Sequence, residues 1–199
     1  MIGNSIGYRG DGFVRFNQSF PSKITIVFST EDQHSLLLTQ TQNEANSLTI
    51  TISNGHLKLQ LYQNGDFYGI QCDVRVDDGQ LHTLTLEMEA KKMTLILDEN
   101  EPIVQEIDTQ ISIQSDLFIG GKIEDFLLGK PGFRGCIYQI LIDAIEVDFS
   151  DKSLTTANIV PCLENVVLED YYYESLLDEN MDDFDEDAYL ERLGRMNEV

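Results

Sequence analysis

Lys130-Pro131-Gly132-Phe133-Arg134-Gly135-Cys136-Ile137-Tyr138 is a Gly-rich turn that runs into the alternating stretch Ile140-Leu141-Ile142-Asp143-Ala144-Ile145-Glu146-Val147. Alternation at period two marks a strand with one face on a core. Upstream, the short apolar run Leu117-Phe118-Ile119 ends on Gly120-Gly121. Glycines at that point let the backbone leave a buried strand at positive φ, which Leu or Ile cannot do cheaply. Phe133 is then expected to close one end of the core.

The same period recurs toward the amino end. Ile24-Thr25-Ile26-Val27-Phe28, Leu48-Thr49-Ile50-Thr51-Ile52, Leu57-Lys58-Leu59-Gln60-Leu61, Leu84-Thr85-Leu86-Glu87-Met88 and Met93-Thr94-Leu95-Ile96-Leu97 all alternate. Turn chemistry separates them: Ser53-Asn54-Gly55, Asn64-Gly65-Asp66, Asp77-Asp78-Gly79 and Asp98-Glu99-Asn100-Glu101-Pro102. Short strands at such spacing predict a sandwich or barrel whose inward side chains form one core. No helical stripe of convincing length precedes Glu164.

Three landmarks in order carry a family resemblance that covers roughly Gly7 to Cys162. Phe133-Arg134-Gly135-Cys136-Ile137 with its alternating run resembles the closing strands of laminin G domains. Asp77-Asp78-Gly79-Gln80-Leu81-His82-Thr83-Leu84 resembles that family's Asp-Gly-x-Trp-His-x-Val segment, with Leu81 where Trp is usual. Ser53-Asn54-Gly55-His56-Leu57 resembles its Asn-Gly step between strands. The resemblance implies an all-β, antiparallel two-sheet jelly-roll sandwich over residues 1–163, followed by an acidic extension over 164–199. It also implies a disulfide between Cys136 and Cys162, which would stabilise the fold by about 3 kcal/mol in the chain-entropy model. Cys72 is left over, read as a buried free thiol in a strand, with pairing outside this chain as the alternative.

With 199 residues and 42% apolar content, one core and a tail are expected. The formal net charge is −22. Glu164 to Val199 holds thirteen acidic residues against Arg192 and Arg195, half of that excess. Such a chain repels phosphates, so nucleic acid is excluded as a partner. No run of 18 apolar residues exists to insert directly into a membrane. Sulfated glycans are poor ligands, because Lys91-Lys92 is the sole adjacent basic pair in the body. A protein receptor or matrix protein with a basic surface fits the charge better. Met1 to Tyr8 lacks the basic and apolar regions of a secretory leader, whereas the resemblance is to extracellular modules. The chain is therefore expected to be a fragment of a longer secreted or membrane-anchored protein.

Several local motifs carry specific expectations. Asn17-Gln18-Ser19 is an N-glycosylation sequon. Arg9-Gly10-Asp11 has the composition of an integrin-type motif, but Gly12-Phe13-Val14-Arg15-Phe16 behind it favours a turn into the first strand. Tyr171, Tyr172 and Tyr173 lie among acids, the setting of tyrosine sulfation, in a segment whose like charges favour disorder. The resemblance also implies a calcium rim, whose first ligand position falls on Asn46 and whose second falls near Ser112, flanked by Asp108 and Asp116. Calcium takes six to eight oxygens and its affinity rises with ligand charge, so a site lacking both anionic ligands binds weakly or not at all. No other cofactor is expected. His82 stands apart from His34 and His56, with no carboxylate at ligand spacing, and is read as structural.

The function these observations predict is a non-catalytic extracellular binding module in cell adhesion or matrix contact. A thrombospondin-N-terminal-like matrix domain is the nearest alternative. A sandwich-fold glycoside hydrolase or lectin is the alternative of another class. The hydrolase needs two facing carboxylates in a cleft, and here the strands place Thr, Ser, Gln and Lys outward more often than acids.

Overall fold

A computed structural model of the chain describes residues 5–17, 20–121, 131–151 and 153–162. The chain divides into a unit Met1–Cys162 and a unit Leu163–Val199. The second, with Tyr171, Tyr172, Tyr173 and the rest of the expected acidic extension, lies outside the described residues.

The described residues form strands and no helix. In chain order the first eight are β1 (Ile6–Arg9), β2 (Phe13–Phe16), β3 (Lys23–Ser29), β4 (His34–Asn43), β5 (Asn46–Ser53), β6 (His56–Gln63), β7 (Asp66–Arg75) and β8 (His82–Glu89). The rest are β9 (Lys92–Leu97), β10 (Ile103–Glu106), β11 (Leu117–Ile119), β12 (Arg134–Ile142), β13 (Ile145–Glu146), β14 (Thr155–Ala157) and β15 (Val160–Pro161). One sheet has the order β10-β9-β8-β3-β12-β1-β15, with β13 paired to β12; the other runs β14-β2-β11-β4-β5-β6-β7. Neighbouring strands pair antiparallel throughout. The architecture is the expected jelly-roll β-sandwich.

Alternation and burial coincide strand by strand. Ile24, Ile26 and Phe28 of β3 and Leu84 and Leu86 of β8 line one inner face; Leu48, Ile50 and Ile52 of β5 and Leu57, Leu59 and Leu61 of β6 line the other, all buried. The register keeps them in rows, Ile26 beside Leu84 and Ile50 beside Leu59. Each such side chain stabilises the fold by about 1.5–3 kcal/mol on burial. Phe133 does close the core: it is fully buried, edge-on to Tyr8 at 5.6 Å and to Phe28 at 6.0 Å between ring centroids. Gly120 and Gly121 leave β11 at φ 97° and 129°. A Cβ on Gly120 would lie 2.3 Å from the Tyr8 ring, so only glycine fits there.

Two stretches are not placed by period two alone. The alternating run Ile140 to Val147 is a hairpin rather than a single strand: β12 ends at Ile142 and β13 begins at Ile145. Asp143 and Ala144 between them both have positive φ, 48° and 68°, the backbone of a two-residue hairpin turn. β4 shows no alternation in Ser35-Leu36-Leu37-Leu38 because its pairing with β5 shifts between Leu36 and Leu38. A bulge there lets consecutive leucines all be buried.

Candidate functional site

Connections between strands converge at one end of the sandwich and are tied together by hydrogen bonds. The Gly79 amide donates to the Thr30 carbonyl, the Asp98 amide to the Thr83 carbonyl, and the Gly10 amide to the Phe133 carbonyl. The Thr30 hydroxyl donates to the Arg134 carbonyl at 2.6 Å. This end gathers the β1–β2, β3–β4, β7–β8 and β9–β10 links.

His82 is the knot of that end. It is buried at the start of β8, with Nδ1 2.9 Å from Asp98 Oδ2 and Nε2 3.1 Å from Asp78 Oδ1. Asp98 also accepts the Thr83 amide at 2.7 Å. Both ring nitrogens face carboxylates, an arrangement that suits the doubly protonated imidazolium. Burial by itself lowers the His82 pKa, but the hydrogen bonds to Asp98 and Asp78 and their charges outweigh it and hold it above 6.5. The Gln80 amide, then His82, holds the Asp78 carboxyl below 3.8. The sequence reading gave His82 no carboxylate partners. The fold supplies two, because the β7–β8 and β9–β10 turns both fold over β8.

Around this knot the surface is acidic. Glu31, Asp78, Glu99 and Glu101 are exposed and Asp32 is half-buried. Asp77 is engaged instead, accepting both Nε and Nη2 of Arg75, and the Arg75 hydrogen bond holds its carboxyl below 3.8. Leu81 projects from the same loop with 61% of its surface exposed. The position where the family resemblance expects Trp is thus an apolar knob set among carboxylates.

Arg9-Gly10-Asp11 lies at this end too. Arg9 ends β1, and Gly10 turns the chain at φ 99° with its amide and carbonyl both bonded to the 132–133 segment. The Asn158 side-chain amide donates to both the carbonyl and Oδ2 of Asp11, each at 3.3 Å. The tripeptide is held as the turn into β2. Asn17, just past β2, is exposed; Gln18 and Ser19 lie outside the described residues.

The opposite end holds Asn46. Its Oδ1 accepts the Asn64 amide at 3.0 Å and the Gln63 side-chain amide at 3.2 Å, while its Nδ2 donates to Asn43. Gln63 Oε1 in turn accepts the Ser112 amide. Asp116 is paired with Arg15, and Asp108 lies beside the Tyr68 hydroxyl. As a calcium cradle this set fits poorly: its central oxygen is neutral and already binds two donors, and Asp116 and Asp108 have other partners. A cleft of about 360 Å³ on this side is lined by Phe20, Met88, Ile111 and their neighbours. Glu89 is its one ionisable lining residue among those described. It lacks the two facing acids of a glycoside hydrolase.

Cys136 on β12 and Cys162 after β15 form a disulfide, with Cα atoms 5.7 Å apart. Cys72 is a free, buried thiol on β7. Burial first, then the charges of Asp73 and Asp98, push its pKa up to about 11.

Comparison with known proteins places this geometry. Residues 28–145 match the family model for the laminin G domain. The chain is 25% identical to the basement membrane proteoglycan of Caenorhabditis elegans, over 82% of this chain and 5% of the proteoglycan. It is 26% identical to the cadherin EGF LAG seven-pass G-type receptor fmi-1 of the same organism, over 73% of this chain and 7% of the receptor. The chain therefore spans only a small part of these relatives' length. Among solved structures, domains LG4-5 of the mouse laminin alpha1 chain superpose with a TM-score of 0.69 at 15% identity, covering 80% of this chain and 46% of that one.

Proposed function

The chain belongs to the laminin G domain family, and from that premise we propose that it is a non-catalytic extracellular module that binds a protein with a basic surface. The observation that carries this is the loop end where exposed Leu81 stands among Glu31, Asp32, Asp78, Glu99 and Glu101. An apolar anchor ringed by charge is the usual plan of a protein contact: the anchor is desolvated and the rim steers and selects. A disulfide and relatives named for basement membrane and a cadherin-type receptor support an oxidising, extracellular setting. In that setting exposed Asn17 is the N-glycan acceptor, and Tyr171, Tyr172 and Tyr173 are the sulfation candidates.

Capture of solubilised matrix and cell-surface proteins on the immobilised chain tests the reading. Binding is expected to weaken as NaCl rises and to be lost in Leu81→Asp and in the pair Asp32→Lys and Glu99→Lys. A chain truncated after Cys162 should still bind. Binding that survives those substitutions, or that disappears with the truncation, would move the contact away from this end.

Binding is further proposed to be independent of calcium, on the bonding of Asn46 described above. A ligand that binds only the folded state raises its melting temperature. The melting temperature is therefore expected to be the same in millimolar CaCl2 and in EDTA, and a calcium-dependent rise of several degrees would overturn this.

A further inference from the structure

The outer face of the second sheet differs in chemistry from the rest of the molecule. Of the chain's 35 acidic residues, none lies in β4, β5 or β6. Acids return in the β4–β5 turn, as Glu44, and on β7, as Asp66 and Asp73. The pairing register sets the outward side chains in two rows. One runs Thr41, Ser47, Tyr62, Phe67 and the next Thr39, which is buried, then Thr49, Gln60, Gly69, from β4 to β7. Tyr62 and Phe67 are 38% and 54% exposed, with ring centroids 5.2 Å apart. The Phe67 ring leans over Gly69, where a Cβ would come within 3.0 Å of Cζ. Glycine at 69 thus leaves the ring a place to lie along the sheet. In an acidic chain this is a neutral carpet of hydroxyl and amide groups bordered by two exposed aromatic rings.

A pyranose ring has the complementary chemistry: a face of C–H groups that packs on an aromatic surface, and a rim of hydroxyls that need donors and acceptors. Tyr62 and Phe67 supply the first contact. Ser47, Thr49 and Gln60 supply groups that both donate and accept, which matches a hydroxyl better than a charge does. Strands lie about 4.8 Å apart, so the row from Tyr62 to Thr41 spans roughly 10 Å, room for a short oligosaccharide. Anionic sugars find one cation nearby, Lys58 in the next row, and a basic peptide finds no carboxylate in either row. We propose that this face, with Tyr62 and Phe67 as its platform, binds a neutral oligosaccharide, at a site separate from the acidic loop end.

The test is an NMR titration of the full, nitrogen-15-labelled chain with maltotriose, cellotriose, chitotriose, mannotriose and N-acetyllactosamine, with a heparin tetrasaccharide as the anionic counter-probe. At least one neutral sugar is expected to give saturable shifts, largest at the amides of Ser47, Thr49, Gln60, Tyr62 and Phe67. Tyr62→Leu and Phe67→Leu keep apolar bulk on the strands but remove the flat ring, and each is expected to weaken binding at least tenfold. Ile145→Ala, on β13 of the other sheet, should bind as the parent does. The proposal is overturned if none of the neutral sugars binds, if shifts map elsewhere, if only heparin binds, or if folded Leu variants bind like the parent. Competition for the same amides by a protein partner in place of any sugar would also overturn it.

Discussion

Tyr8 shows how one atom can run against the packing around it. Its ring is buried between Phe133 and the space kept open by Gly120, yet its hydroxyl has no hydrogen-bond partner among the described residues. Burial pushes its pKa far above the usual value for tyrosine, so the group stays neutral at any ordinary pH. A buried polar group without a partner carries a desolvation cost of about 1–3 kcal/mol. Tyr8→Phe keeps the ring and removes that cost, so it should stabilise the fold by about 1 kcal/mol. Thermal unfolding should then shift upward by about 2–4 °C for a chain of this size; an equal or lower midpoint would mean that the hydroxyl is satisfied. At this scale the sequence was only partly legible. Alternation places Ile24, Ile50 and Leu59 in the core, and the steps Asn54-Gly55, Asn64-Gly65 and Asp78-Gly79 locate tight turns. The bonds made by His82 and Asn46 join residues far apart in the chain, such as Asp98 and Gln63. No local pattern encodes which turns fold over which strand.

Among the elements, β15 depends most on a covalent link. It is two residues long and pairs with β1 only through Ile6 with Pro161 and Gly7 with Val160. So short an edge strand gains little from its ladder and needs an anchor. The Cys136–Cys162 disulfide supplies one by joining β12, the other neighbour of β1, to the residue just after β15. Replacing both cysteines by serine is expected to cost about 3 kcal/mol and to lower the melting midpoint by roughly 6–12 °C. Amide exchange at Gly7 and Val160 should rise before exchange in β3 or β8, because the loss frees the edge first. Equal protection throughout would show that β15 holds by itself. Strict period two recovers β3, β5, β6, β8 and β9 from the sequence, and the short runs around Leu117–Ile119, Cys72 and Ile140 recover β11, β7 and β12. β4 escaped the pattern because its bulge shifts the alternation in mid-strand, and β13 escaped because Asp143-Ala144 keeps the apolar spacing through a turn. In β4 a change of register alters which face a residue meets without altering composition, whereas in β13 the chain reverses with no break in the pattern.

The whole molecule carries a formal charge of −22, and this makes pH a lever on its stability. Repulsion among like charges grows as pH rises through neutrality and is weakened by salt. The His82 knot acts in the same direction but by a different route. Its folded pKa lies above 6.5, so its contribution is complete below that value and is lost as pH rises through the folded value. Asp78 has the opposite sign: its folded pKa lies below 3.8, so its contribution is present above that value and is lost as pH falls through the folded one. Both terms are therefore in force between about pH 4 and 6.5, and the melting midpoint should peak there and decline toward pH 8 and beyond. Salt separates the two causes. The general repulsion should largely disappear at high NaCl, whereas the His82 part should persist because its ring is buried against its partners. His82→Gln keeps a donor but cannot carry charge, so at high salt its midpoint should be flat from about pH 6.5 to 8, where the parent still falls. A parent curve that is also flat at high salt would leave repulsion as the sole source of the pH dependence and remove the carboxylate–imidazolium–carboxylate bridge from the account of what holds the loop end together.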